Sequence, residues 1–169
     1  PDSSRFSTGD GLFNGVLFEG TDLPTVDPLP HNDAYFQAHL TFLENYVDRV
    51  SDGRTSVSSF VLPGIIQVSG QMKEYAPIGL ESESDAEVSK LARLVTEAWT
   101  LAAEAPGINL PEGLDPETTA FVLFHAGVGR DIELLGNTLD KTPDDLPSLF
   151  FDSDALQRLT GQGAIDVDG

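Results

Sequence analysis

The sequence predicts an α+β domain of α/β-like character: a mixed twisted sheet of about four to five strands with two main helices packed on it. Two stretches, near 33–50 and 85–104, repeat apolar residues at helical spacing. Other stretches, near Phe13, from Thr55 to Val68 and from Ala120 to Phe124, are short, apolar and rich in Val, Ile, Phe and Ser, as strands are. The order strand, helix, strands, helix, strand fits within 169 residues, enough for one domain with its own core. Residues 1–12 read as a flexible N-terminus, 13–160 as the domain, and 161–169 as a flexible C-terminus continued in a longer parent protein.

Phe13 to Gly20, FNGVLFEG, reads as the first strand, and the segment with Pro24, Pro28 and Pro30 as an extended connection. A helix follows, capped by Asn32 or Asp33. It carries Phe36, Leu40, Leu43, Tyr46, Val47 and Val50 at helical spacing and ends at Ser51-Asp52-Gly53, with Gly53 left-handed. Pro63-Gly64 splits Thr55 to Val68 into two strands, a hairpin or a bent pair. Asp85 to Glu104 is the clearest helix, with Ser84 and Glu87 as a capping box and Val88, Leu91, Ala92, Val95, Ala98, Trp99 and Ala102 as one apolar stripe. Pro106-Gly107 closes it. Ala120 to Phe124 is apolar on consecutive residues, the pattern of a strand covered on both faces. Leu134 to Asp140 reads as a loop or edge piece, and Thr142 to Asp145 as a helix start that Pro147 limits to a turn. Asp154 to Leu159 reads as a last short helix closed by Gly161.

The charge balance restricts partners. There are 28 acidic and nine basic side chains, a net charge of −19, and only Lys73, Lys90 and Lys141 among the lysines. Such a surface repels phosphate backbones and anionic membranes, so neither nucleic acid nor membrane is expected as a partner. Concentrated salt screens that repulsion, and a halophilic source is the leading explanation; cation binding and plain solubility are the others. The absence of cysteine excludes disulfides and thiolate metal sites.

Chemistry-bearing residues are sparse. The three histidines are His31, His39 and His125, and none has another four residues away, so no local His-Glu-x-x-His zinc motif exists. His39 reads as a packed histidine and His31 as a residue contacting the helix start. Neither a nucleophile elbow nor a phosphate-cradling glycine loop is present. FVLFHAGVGRD, Phe121 to Asp131, is the most pointed stretch: an apolar run ending in His125, Gly127, Gly129, Arg130 and Asp131. A strand whose end lines a cleft would put these five residues beside a ligand or an extended peptide; otherwise His125 satisfies a buried backbone group and Arg130-Asp131 is a surface ion pair. Calcium candidates are Asp144, Asp145, Asp152 and Asp154, and Asp166 with Asp168 in the opening of a calcium-loop pattern; helix capping and a flexible acidic tail are the competing readings.

The run AYFQAHLTFLENYVDRVSDGRTSVSSFVLPGIIQVSGQMKEYAP resembles the start of the catalytic domain of secreted zinc metalloproteases of the immune inhibitor A type. The matching pieces are Tyr35-Phe36, Tyr46, Ser51 to Arg54, Val57 to Val68 and Met72 to Tyr75, then the helix 85–104 and the His-Ala-Gly-x-Gly of His125 to Gly129. The resemblance spans roughly residues 33 to 131. It implies a zincin-like N-terminal subdomain, secreted or at the cell surface, with an edge strand bordering a peptide groove. The family's zinc helix lies downstream of His-Ala-Gly, and this chain has none. Zinc is therefore expected only if the parent protein supplies that helix. Read this way, the chain is the non-catalytic front part of a metallopeptidase-like protein. The alternatives are a diverged, metal-free extracellular or cell-surface binding module of a halophile and a calcium-stabilised structural domain.

Overall fold

A computed structural model of the chain describes residues 13, 31–78, 84–111, 113–115, 117–127, 129–130, 145–163 and 165. Four helices are present among them: α1, Asp33–Val50; α2, Met72–Tyr75; α3, Asp85–Glu104; and α4, Ser153–Thr160.

No β-strand occurs among the described residues, which corrects the expected mixed sheet and with it the zincin-like architecture. Thr55–Val68 and Ala120–Phe124 lie outside the helices, but neither has a ladder partner. Phe13 sits in a turn; the rest of the expected first strand, 14–20, lies outside the described residues, as does 134–140. The physical reason is visible in where backbone donors go. A strand needs a second strand for its N–H groups. Here glutamates on the helices take some of them. Ser59 N–H donates to Glu44 of α1 at 2.6 Å, as does the Ser59 hydroxyl, and Ser69 N–H donates to Glu97 of α3 at 2.6 Å. Gly64 does turn the chain, with φ +86°, yet the two arms do not pair.

The helices follow their end signals closely. Asn32 caps α1, its side chain accepting from Tyr35 N–H at 3.1 Å. The far end closes with Gly53 N–H on the Asp48 carbonyl at 2.9 Å; Gly53 is left-handed, and so is Asp52. The expected capping box of α3 is absent. Ser84 makes no side-chain cap, and Glu87 instead accepts from Ile78 N–H and from Lys90, both at 2.6 Å. That switch ties the start of α3 to the chain beyond α2. Asp152 caps α4 through Ala155 N–H at 2.8 Å, and Gly161, at φ +79°, closes it. Arg158 of α4 pairs with Asp85 of α3. The one-turn helix expected at 142–145 is not seen at Asp145, which is not helical; 142–144 lie outside the described residues.

The core sits on α3. Tyr75, Ala76, Leu91, Leu94 and Leu146 are buried together, with Val68, Met72, Leu123 and Phe151 against them. α3 packs on α2 and α4, whereas α1 meets no other helix. No described helix is long and apolar enough to cross a membrane.

Candidate functional site

Residues 119–125 run without regular structure between α1 and α3. Trp99 of α3 meets Phe121 edge-on with ring centroids 4.6 Å apart, and Phe36 of α1 meets Phe124 at 4.5 Å. Leu123 reaches the core. The expected two-sided cover is therefore supplied by two helices, without a sheet between them. It is thin: Phe121, Val122 and Phe124 remain about half exposed.

His125 ends this segment, half-buried. Its Nδ1 lies 3.1 Å from the Ala126 carbonyl, which can only accept. Nδ1 is therefore the donor of that bond. Gly127 follows at φ +105°, backbone that a side chain rarely adopts. Gly129 is different: a Cβ there would make an ordinary 3.8 Å contact with the Leu146 carbonyl, so close packing does not demand glycine.

Arg130 is a clasp, and its expected pairing with Asp131 falls on a residue outside the described ones. Its backbone N–H donates to the Leu146 carbonyl at 3.0 Å, and its guanidinium donates to the Pro77 carbonyl at 2.6 Å. Pro77 and Leu146 are both buried, so one residue ties two distant stretches of chain, the first by its guanidinium and the second by its backbone N–H. A charge-assisted bond to a carbonyl at this depth fixes the turn after His125. Asp131 lies outside the described residues.

Only three of the six calcium candidates, Asp145, Asp152 and Asp154, are among the described residues. Asp144, Asp166 and Asp168 lie outside the described residues. Asp145 is buried beside Leu146 in the chain, Asp152 caps α4, and Asp154 is exposed in its first turn. Among the described residues no group of three or more His, Asp or Glu side chains is arranged to hold a metal ion. His31 and His39 each stack on Tyr35, at 4.5 and 4.4 Å, and His39 Nδ1 donates to the Tyr35 carbonyl at 3.0 Å. His31 contacts the helix start as the sequence predicts, whereas His39, expected to be packed, is exposed.

A second polar centre was not legible beforehand. The Tyr75 ring is buried, its hydroxyl donates to Glu97 at 2.7 Å and accepts from Gly70 N–H at 2.9 Å. Arg93 lies over the same ring, 4.8 Å from its centroid. The bonds to Glu97 lower its carboxyl pKa, the Ser69 backbone N–H most, then the Ser69 and Tyr75 hydroxyls. The signal is absent from the sequence because Tyr75 and Glu97 are 22 residues apart with no shared motif. Beside it an open cleft of about 490 Å³ lies between α3 and α4, lined by Arg93, Thr96, Glu97, Leu159, Thr160 and Gln162. Its hydroxyls are engaged internally: Thr96 donates to Ala92 at 2.9 Å and Thr160 to Leu156 at 2.8 Å. The centre therefore braces α3 against residues 69–75 and offers few free groups for chemistry.

Compared with family models, curated proteins and solved structures, the chain matches none.

Proposed function

We propose that the chain is one part of a secreted metallopeptidase-like protein and is not catalytic by itself. The observation that carries this is the turn at 125–130. An imidazole anchored by Nδ1 on the Ala126 carbonyl stands between an apolar extended segment and a glycine-dependent bend held by Arg130. In its neutral form an imidazole held this way presents Nε2 to accept a proton or a hydrogen bond beside a reacting centre. The order of residues from Tyr35 to Gly129 adds the family resemblance, which stands on sequence alone now that the sheet is set aside. Zinc would come from a His-Glu-x-x-His helix elsewhere in the parent protein, since this chain's three histidines lack that spacing.

The test extends the chain along its open reading frame. The reading expects a His-Glu-x-x-His sequence downstream and zinc-dependent casein hydrolysis by the longer protein, with none by residues 1–169. A downstream sequence without that motif, or a longer protein inert with zinc, overturns it.

A second reading, a non-catalytic binding module, is favoured by the apolar surface left uncovered. Phe42, Val50, Ile65 and Phe150 are each more than half exposed.

A further inference from the structure

We propose that Asp115–Pro116 is a self-cleaving peptide bond, cut in mild acid by the side chain of Asp115 with help from the two residues after the proline. Aspartate before proline puts a carboxylate within ring-closing reach of the carbonyl of the same residue, and a tertiary amide nitrogen where the chain must part. The fold adds two features to that chemistry. The Asp115 carbonyl, whose oxygen must take up the charge, accepts the Thr118 N–H at 3.0 Å and, more weakly, the Thr118 hydroxyl at 3.5 Å. The Asp115 carboxylate accepts the Glu117 N–H through Oδ1 at 2.9 Å, which holds the group and leaves Oδ2 without a partner among the described residues. Donors already aimed at the oxygen where charge develops favour the transition state over the starting amide. Asp115, Glu117 and Thr118 are all exposed, so water and acid reach the bond.

The reaction balances with water and a solvent proton as co-reactants. A carboxylate oxygen of Asp115 adds to the Asp115 carbonyl carbon, forming a C–O bond, and the negative charge moves to the carbonyl oxygen that Thr118 holds. As the carbonyl re-forms, the C–N bond to Pro116 breaks; the nitrogen takes a proton from the acid medium and leaves as a secondary amine. Water then opens the cyclic anhydride, and Asp115 becomes a C-terminus with two carboxyl groups. The cut falls between α3 and the His125 turn. Leu146 in the core, the Arg130 bond to Pro77 and the Arg158–Asp85 pair still hold the two pieces together, so the nick shows only on denaturation, and the His125 segment gains a free end. The inference uses neither the His125 ring nor zinc, so it and the peptidase reading can fail independently.

The intact chain is incubated at the lowest pH at which far-UV circular dichroism keeps its helical signal, and in denaturing urea at the same pH. Mass spectrometry of denatured aliquots follows fragments 1–115 and 116–169. The urea arm reads the intrinsic lability of the bond. Folding is expected to speed the cut about tenfold over that arm, less than a donor achieves in a dry site because this one is exposed. Thr118→Pro, which lacks both donors, is expected to return the rate to that in urea, and Thr118→Val, which keeps the N–H, to slow it only about twofold. Asp115→Asn is expected to abolish fragment 1–115, while fragment 1–27, from the separate Asp27–Pro28 bond, still forms. A folded-state rate equal to or below that in urea would reduce the bond to ordinary aspartyl-prolyl lability and overturn the proposal. So would a Thr118→Pro variant as fast as the parent chain, or a fragment 1–115 that Asp115→Asn still yields, which would assign the cut to a contaminating peptidase.

Discussion

α1 and α3 are near-equals in length, 18 and 20 residues, and both repeat apolar side chains at helical spacing. Yet α3 buries Leu91, Ala92, Leu94, Ala98 and Ala102, and α1 buries nothing. The difference lies in what stands opposite. α3 faces Tyr75, Leu146 and α4. Among the described residues α1 meets the rest of the molecule through Phe36, on Phe13 and Phe124, and through Glu44 on Ser59. Amphipathic spacing tells which side of a helix wants cover. It does not tell whether the covering surface belongs to the same stretch of chain.

The largest effects should fall on the α3 side. Leu91→Ala and Leu146→Ala remove buried side chains, 4 % exposed in each case, and are each expected to cost about 2–5 kcal/mol in urea unfolding. Leu146 also offers its main-chain carbonyl to Arg130, a bond that alanine keeps, so the cost reads the side chain alone. If both changes cost less than about 1 kcal/mol, α3 is not the centre of the core.

Next in size is Gly70→Ala. A Cβ at Gly70 would stand 2.8 Å from the Tyr75 ring and hydroxyl, and Tyr75 is itself 1 % exposed and cannot retreat. Overpacking of this kind is expected to cost about 1–3 kcal/mol. Pairing it with Tyr75→Phe removes one of the three Tyr75 atoms at that distance and should recover part of the loss. Recovery of nothing would mean that the ring carbons, and not the hydroxyl, set the clash.

Glu97 gives a pH signature to the same side of the molecule. Its carboxyl pKa lies below the ordinary 4.5, chiefly because Ser69 N–H bonds to the charged form. The folded state therefore binds this proton less readily than the unfolded chain. The stabilisation is fully present above pH 4.5 and is lost as pH falls through the lower folded value. Glu97→Gln should flatten that part of the pH dependence, measured as urea midpoint against pH. Because the carboxylate stands near the surface, solvent screens it and the amplitude will be modest. An unchanged profile would assign the acid sensitivity to other carboxylates.

These centres differ in how far the sequence revealed them. Helix ends were legible because their signals are local: Asn32, Gly53, Gly107 and Gly161 act within a turn of where they stand. Four-residue α2 was missed, being too short for a period to register. The sheet was expected because Val-, Ile- and Phe-rich segments favour extended backbone; pairing is a separate, non-local requirement that composition does not encode. Ser59 and Ser69 make the point, since both give their N–H groups to glutamates on helices. At the candidate site, the glycine requirement at Gly127 was readable. The Arg130 clasp was not, because Pro77 lies 53 residues away.

The smallest effects should fall on α1, and they sharpen the contrast most. Asn32→Ala deletes a cap bonded to Tyr35 N–H and is expected to cost about 1 kcal/mol, somewhat less if the first turn frays without loss elsewhere. Leu43→Ala and Phe42→Ser, on the uncovered stripe, should stay within about 0.5 kcal/mol, the range of surface substitutions. The same chemical deletion, leucine to alanine, would then differ several-fold between position 43 and position 91, on two helices of similar pattern. That ratio measures cover alone, because propensity and spacing are nearly matched. A cost at Leu43 near that at Leu91 would mean that α1 is packed in solution, and the two helices would no longer differ.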